Sequence, residues 1–548
     1  MENNNGAKLI SCLNKYKIVI LLIIIIGVGI FLRTYHFRDW LQFSPDQARD
    51  ATLIRDVIDG KTQLPLVGPQ AGNTRFSLGP LYYYFQYVSA LLFGVTPQTM
   101  AYPDVFFSIL AIPLLFIFLR KYFSINIALA LTAIMSVSYF SVLNSRFASN
   151  PNSIPFFLLL FLLGLLGMMD EQYKERLLWP TLAGIGLGVG IQQHTLLLIS
   201  LPFLAITIVI WLWKKKSLNW KGFTVSLFLI LLLNTGQIMH EWQTNGGNVK
   251  ALVSGVGDRS GGRAKFVENA GLIAACQLQA NAHIISSLQD IETCGGMFKV
   301  SRAITRNGSG FYGLLKNGLF VLGMLITLIF SLGGYYLGWR AYRNEIISNR
   351  RDFLFLSALF NLFLFLVFIP VAGEVSVRYF IVLFFVPIVL MGLWLDFILE
   401  KFSKKGKPLS ILIIVLLIMA GLTANIQAGV KLANGQGSGI NNSFLADIEP
   451  MLAYILQEAD SSQKNIYIVG RKMYRKRFFK PLNFLATEKG ASLILADDKN
   501  NALDPGTQAF YIAKRSQKIY QPGDLFEGHR IENIRIFNLA IMIVELRW

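Results

Sequence analysis

Ile18–Leu32 reads IVILLIIIIGVGIFL, an unbroken apolar run with Lys15 and Lys17 ahead of it and Arg33 directly behind. A run this apolar between basic flanks reads as a membrane-spanning helix. No small-residue cleavage site follows, so it reads as a retained first span and not as a removed leader. Similar runs recur near 103–119, 126–143, 154–169, 179–193, 195–213, 222–240, 312–338, 353–371, 379–399 and 409–424. The composition agrees: 53% of the 548 residues are hydrophobic and only 15% charged, too apolar for a soluble protein. The expected fold class is an α-helical polytopic membrane protein of about eleven spans.

Charge sets the expected orientation. The formal net charge is +19, but the basic residues are scattered between apolar runs. That distribution fits cytoplasmic loops and anionic headgroups and not nucleic acid. Arg120-Lys121, Lys214-Lys215-Lys216, Arg350-Arg351 and Lys404-Lys405 fall in alternate connections. With these inside, the positive-inside rule predicts a plasma (inner) membrane protein with a cytoplasmic N-terminus and an extracytoplasmic C-terminus. The apolar, tyrosine-rich segment ending near Gly94 then reads as an interfacial helix. Counting it as a span would invert every later loop, and Tyr82, Tyr83 and Tyr84 suit the headgroup level.

This topology divides the chain into a membrane domain, 1–424, and a small extracytoplasmic domain, 425–548. The first has two long outside loops, 33–102 and 241–311, the latter with a Gly-rich opening that reads as a lid. In the second, NIYIVG at 465–470, ASLILA at 491–496 and QAFYIA at 508–513 read as strands. Helical spacing covers 445–458 and a hairpin is expected over 531–548, giving an α/β or α+β domain. The basic tract 471–480 reads either as a solvated face or as a headgroup contact. Cys276 and Cys294 share the second long loop, where an oxidising face would permit a disulfide; two free thiols are the alternative.

The chemistry-bearing stretch is Phe43-Ser-Pro-Asp-Gln-Ala-Arg-Asp50, just beyond the first span. Asp46, Arg49 and Asp50 have helical i, i+3, i+4 spacing, with Ser44 as N-cap and Pro45 in the first turn. Ionisable clusters at the mouth of a membrane helix mark functional sites, although a capped helix with a surface ion pair has the same pattern.

Four stretches together resemble the GT-C-fold glycosyltransferases that use polyprenyl-phosphate sugars, in particular the protein O-mannosyltransferase and aminoarabinose-transferase group. Pro45-Asp-Gln-Ala-Arg49 is similar to that group's Pro-Asp-Glu-x-Arg. Gly79-Pro-Leu-Tyr-Tyr-Tyr84 resembles its Lys-Pro-Pro-x-x-Tyr-Trp, Arg146 through Pro151 its second-loop segment, and Arg378-Tyr-Phe380 the opening of a late helix. The resemblance implies a GT-C-like membrane domain and an inverting glycosyl transfer on the extracytoplasmic face. The donor would be a polyprenyl-phosphate-linked sugar and the acceptor a lipid, glycan or protein. It makes Asp46 the catalytic base, with Arg75, Arg146, Asn150, His194, Arg378 and Tyr379 as substrate-binding residues. Arg49 reads as a phosphate ligand or as a partner of Asp46 or Asp50, and Glu241, at an outside helix end, as a substrate or metal contact or as a surface carboxylate.

Three departures stand out. Gln47 replaces the second acid of the Asp-Glu pair, so a divalent metal would lack that ligand. Gly79 stands where a phosphate-binding Lys is often found, leaving Arg75 as a substitute, and Asn150 replaces an Asp. The competing readings are a transporter or lipid flippase, and an inactive relative that binds a lipid-linked sugar without transferring it. Against the first, the charges cluster beyond the spans and no sequence repeat is visible.

Overall fold

A computed structural model of the chain describes residues 2–72, 74–172, 174–260, 262–287, 294, 311–435, 443–460, 465–496, 503, 507–515, 521–526, 528–537 and 541–547. Its first helices are α1 (Glu2–Thr34), α2 (Pro45–Ile58), α3 (Leu81–Phe93), α4 (Pro97–Leu119), α5 (Ile125–Val137), α6 (Tyr139–Leu143) and α7 (Ile154–Met169). They continue as α8 (Leu178–Gln193), α9 (Thr195–Lys214), α10 (Trp220–Leu233), α11 (Thr235–Gln243), α12 (Gly247–Ser260) and α13 (Gly262–Ser286). The later ones are α14 (Phe311–Asn344), α15 (Ser348–Phe368), α16 (Phe385–Lys401), α17 (Ser403–Ala433), α18 (Leu445–Glu458) and α19 (Lys472–Glu488).

Among the described residues seven helices are long and apolar enough to cross a membrane, or nine if each of two bent pairs is one span. The bends are 59° between α10 and α11 and 68° between the 3₁₀ segment Val377–Leu383 and α16. The other two expected runs fall on α5 and α8, helices of 13 and 16 residues. The chain is a multi-pass membrane protein.

Glycine spacing explains the tightest helix pair. A Cβ on Gly186 of α8 would sit 2.4 Å from the Phe161 backbone nitrogen, and one on Gly164 of α7 would sit 2.4 Å from that of Ala183. Gly184 and Gly188, on the other face of α8, meet the α10 backbone at Ser226 and Ile230. Where lipid replaces water, such backbone proximity supplies the dispersion contacts that hold helices together.

Two expectations need correction. The described part of 241–311 is not an open loop: it holds α12 and α13, and Ile273, Cys276, Ala280, Ile284 and Ile285 lie in the main membrane-domain core. Hydropathy hides α13 because the polar residues of its second half, Gln277, Gln279, Asn281 and His283, are buried too. Gln277 donates to the Tyr335 hydroxyl and to Asn361 Oδ1, both at 2.7 Å, and Asn281 donates to the same hydroxyl at 3.1 Å. Cys276 and Cys294 are joined in a disulfide across 18 residues; Arg302 and Arg306 of that stretch lie outside the described residues.

The tyrosines are the second correction. Helix α3 has 13 residues, about 20 Å of rise and too short for a bilayer core. It exposes Val88, Leu91, Leu92 and Phe93 at its C-terminal end but buries Tyr82 and Tyr83. Tyr84 is partly buried and donates to the Pro65 carbonyl at 3.1 Å. Their hydroxyls have intramolecular partners, so these residues are packed parts of the fold and not headgroup anchors.

The C-terminal region builds one mixed sheet from β1 (Ile466–Gly470), β2 (Leu493–Leu495), β3 (Gln508–Lys514), β4 (Leu525–Phe526), β5 (His529–Ile536) and β6 (Ile541–Arg547). The order is β2-β1-β3-β6-β5-β4, with β1 parallel to both neighbours and the rest antiparallel. Strand alternation sends Ile468, Phe510, Ile512, Ile541 and Ile543 to one face, against α18 and α19.

That same core takes in Phe43, Ala48, Ala51 and Ile54 of the first loop. Gln42 bridges Phe444, Phe43 N donates to the Ser443 carbonyl at 2.9 Å, and Arg55 donates to the Phe484 carbonyl at 3.2 Å. The C-terminal fold and α2 therefore share one hydrophobic core.

Candidate active site

Helix α2 begins where the sequence places it, with Ser44 as N-cap and Pro45 in its first turn. Gln47 explains its own presence there. Its Oε1 accepts from Ser44 N at 3.0 Å and its Nε2 donates to the Ala148 carbonyl at 2.8 Å. A carboxylate could make the first bond but not the second, since it has no donor. Gln47 thus ties the start of α2 to the segment after α6.

Along α2, Asp46, Arg49 and Asp50 form a chain. The Arg49 guanidinium donates to Asp46 Oδ1 at 3.1 Å and to Asp50 Oδ1 at 2.9 Å, and the Tyr83 hydroxyl donates to that Asp50 oxygen at 3.1 Å. Asp46 is 75% exposed, Asp50 only 5%. Burial pushes the Asp50 carboxyl up to about 6, while Arg49 and Tyr83 pull it the other way. The buried acid anchors the arginine, the arginine orients the exposed acid, and Asp46 Oδ2 has no hydrogen-bond partner among the described residues.

Asp46, Gln47, Arg49 and Asp50 line a cavity of about 1920 Å³ bounded by the ends of α1, α2, α8 and α17, by 146–152, by 193–196 and by 375–381. Of the residues expected from sequence, Asp46, Arg49, Arg146, Asn150, His194, Arg378 and Tyr379 all line it. Arg75 and Glu241 do not. Arg75 is exposed beside the lining residues Thr74 and Phe76, and Glu241 of α11 accepts from Val249 N at 3.4 Å.

The lining residues differ in what occupies them. Arg146 is buried and donates to the Leu32, Tyr35 and His36 carbonyls at 2.7, 2.7 and 3.2 Å, so it caps the C-terminal end of α1. His194 is the N-cap of α9, its Nδ1 accepting from Leu196 N at 3.2 Å. Desolvation, with Arg378 adding to it, lowers its pKa to about 4. The ring is therefore neutral near pH 7, with its proton on Nε2 available for donation.

Arg378 is exposed, 5.3 Å from the Tyr379 ring centroid, and no carboxylate among the described residues pairs with it. Tyr379 in turn lies edge-on to His194, ring centroids 5.5 Å apart. Asp104 of α4, not singled out from sequence, accepts from Ser149 N at 3.1 Å and holds the 149–152 segment at the cavity wall.

Gly79 has no room to be otherwise. A Cβ there would lie 2.2 Å from Gln192 Oε1, which accepts from Leu81 N at 3.2 Å. A lysine would displace that glutamine. Positive charge reaches the cavity instead from Arg477 of α19, which the sequence left inside an undifferentiated basic tract. Tyr474 and Phe478 belong to the shared core, and this apolar flank was the one available signal that Arg477 rides on a packed helix.

Residues 77–234 match the dolichyl-phosphate-mannose-protein mannosyltransferase family. The fold is similar to the apo form of the Archaeoglobus fulgidus oligosaccharyltransferase, TM-score 0.51 at 14% identity, over 89% of this chain and 66% of that one. The chain has a GT-C glycosyltransferase fold. ArnT from Cupriavidus metallidurans also aligns, in the apo state at TM-score 0.49 and 11% identity over 97% of this chain and 98% of its own. Its structure bound to undecaprenyl phosphate aligns at TM-score 0.47 and 12% identity over 97% of each chain. No curated protein matches by sequence. The matched stretch of this GT-C chain includes Arg146, Asn150 and His194, while Asp46 and Arg378 lie beyond it.

Proposed function

We propose that this chain is an inverting glycosyltransferase that moves a sugar from a polyprenyl-phosphate donor to an acceptor hydroxyl on the extracytoplasmic face. The observation that carries the reading is the pairing, in one cavity, of an exposed and oriented carboxylate, Asp46, with the exposed guanidinium of Arg378. The family match over 77–234 and the GT-C fold support the reaction class.

In this reading Asp46 takes the proton of the acceptor hydroxyl as its oxygen bonds to the anomeric carbon. The bond from that carbon to the phosphate oxygen breaks, and polyprenyl phosphate leaves with the electron pair. Attack opposite the leaving group inverts the centre. Arg378 suits the departing phosphate because a guanidinium stays charged and pairs bidentately with it. Neutral His194 donates from Nε2 to substrate. Tyr379 and Asn150 shape the pocket, and Arg146 serves it by holding the end of α1.

A divalent metal, if one takes part, would have Asp46 without a second acid at position 47, because Gln47 is committed to Ser44 and Ala148. In the four-residue cluster of Asp46, Arg49, Asp50 and Tyr83, Arg49 offsets one of the two carboxylate charges.

The test is reconstitution of the purified chain with a panel of polyprenyl-phosphate sugars and candidate acceptors. Glycosyl product from wild type and loss of it in Asp46→Asn is the expected outcome. Undiminished transfer in that variant would sink the role of Asp46. Solute or lipid translocation without glycosyl product would favour a transporter, and donor binding without transfer an inactive binder.

A further inference from the structure

We propose that Arg477, supplied by the C-terminal domain, is a second ligand for the donor phosphate, so that this domain completes the site. The inference rests on the polyprenyl-phosphate reading above and names a residue for it.

Arg477 stands on α19, which runs alongside α2 in the same direction. Arg55 near the end of α2 meets Phe484, donating to its carbonyl and lying 4.5 Å over its ring, while Arg477 lines the cavity together with Asp46 at the start of α2. The register is fixed by apolar packing of Tyr474, Phe478 and Leu482 into the core that holds Ala48, Ala51 and Ile54. Arg477 is therefore carried by a rigid element and lines the cavity.

Three features separate it from an arginine resting on the surface. Its Nε is buried and has no hydrogen-bond partner among the described residues. An unmet charged donor of this kind costs free energy unless something fills the position. It also lines the same cavity as Arg378 and Asp46 and lies within electrostatic range of both, so two guanidinium groups border one cavity. Like charges brought together repel, and an anion held between them turns the repulsion into two charge-assisted contacts. Finally, Asp46 forms its ion pair with Arg49 and none with Arg477. The guanidinium is left for an oxyanion on the side of the cavity from which the base would act.

The chemistry that fits is a phosphate mono- or diester within reach of both Arg378 and Arg477, whether from the donor or from an ordinary anionic lipid. The test measures binding to the purified full-length chain in nanodiscs, with undecaprenyl phosphate, uncharged undecaprenol and phosphatidylglycerol as separate probes. Wild type should prefer undecaprenyl phosphate to undecaprenol. Arg477→Ala should weaken undecaprenyl phosphate binding about tenfold, in keeping with loss of a charge-assisted contact. Arg477→Lys should recover part of that, Lys476→Ala on the same helix should bind like wild type, and all variants should melt near the wild-type temperature.

Affinity within twofold of wild type in folded Arg477→Ala would overturn the inference while leaving the donor reading intact. An equal loss for phosphatidylglycerol would overturn it in favour of a general headgroup contact. A wild type that does not distinguish undecaprenyl phosphate from undecaprenol would overturn the donor reading, and this inference with it.

Discussion

Asp46 and Asp50 lie four residues apart on one helix, and their surroundings give them opposite tasks. Asp46 is open to the cavity, so in the proposed mechanism Asp46→Asn should lower the rate of transfer about 10²–10⁴-fold in a single-turnover assay without changing the melting temperature. Asp50 is buried with its folded pKa raised to about 6 from the usual carboxylate value. The folded chain thus binds this proton more readily than the unfolded one, and the group costs stability as pH rises from about 4 to about 6. The cost is on the order of 2–3 kcal/mol above that window. Thermal melts in detergent should show Asp50→Asn gaining on wild type between pH 4 and pH 7. A constant difference across that range would mean that burial does not set the titration. The spacing of the triad was legible in the sequence, since i, i+3 and i+4 already imply one face. Which acid is exposed was not, because Tyr83, which buries Asp50, comes from another helix.

At the scale of elements, α8 depends on glycine on two faces. Gly186→Leu should destabilise by about 1–3 kcal/mol or more through overpacking, since its Cβ would meet the Phe161 backbone at 2.4 Å. Gly27→Ala in α1, where nothing lies within 4 Å of the added carbon, should stay within about 0.5 kcal/mol in the same melt. The disulfide of α13 gives a second check. Cys276→Ser should lower stability by about 3 kcal/mol in the chain-entropy account of a loop this short. A melting temperature equal to that of wild type would show that the bridge carries no stability. The apolar runs made the candidate membrane spans readable, but α13 escaped notice because the side-chain amides of Gln277 and Asn281 donate to Tyr335 and Asn361 on distant helices. A hydropathy window counts such residues as exposed; partners across the bundle let them be buried.

At the scale of the molecule, the C-terminal sheet and the first loop share a core, so the boundary drawn at 424–425 by composition is not a boundary in packing. Phe484 lies at that junction, edge-on to Phe43 at 5.5 Å between centroids. Phe484→Ala should cost about 3–5 kcal/mol and should raise the protease sensitivity of the C-terminal domain. Arg38 also crosses the junction, to Glu449 at 2.9 Å, but as an exposed ion pair. Its replacement by Ala should cost no more than about 1 kcal/mol. Comparable effects of the two would mean that charge, and not apolar burial, holds the domain down.

Bilayer-length apolar runs, their basic flanks and the strand alternation near the C-terminus follow from composition and period, so the sequence by itself determined the class of fold and most elements. The start of α2 was equally local, because capping depends on neighbours three residues apart. Occupancy was decided only in three dimensions. Arg146 is taken up by carbonyls of α1, Gln47 by Ala148, and Gly79 by Gln192, none of them near in sequence. Arg477 joins the cavity because a core shared with α2 fixes α19 there. Long-range packing assigns each polar group its partner, and no period along the chain encodes that assignment.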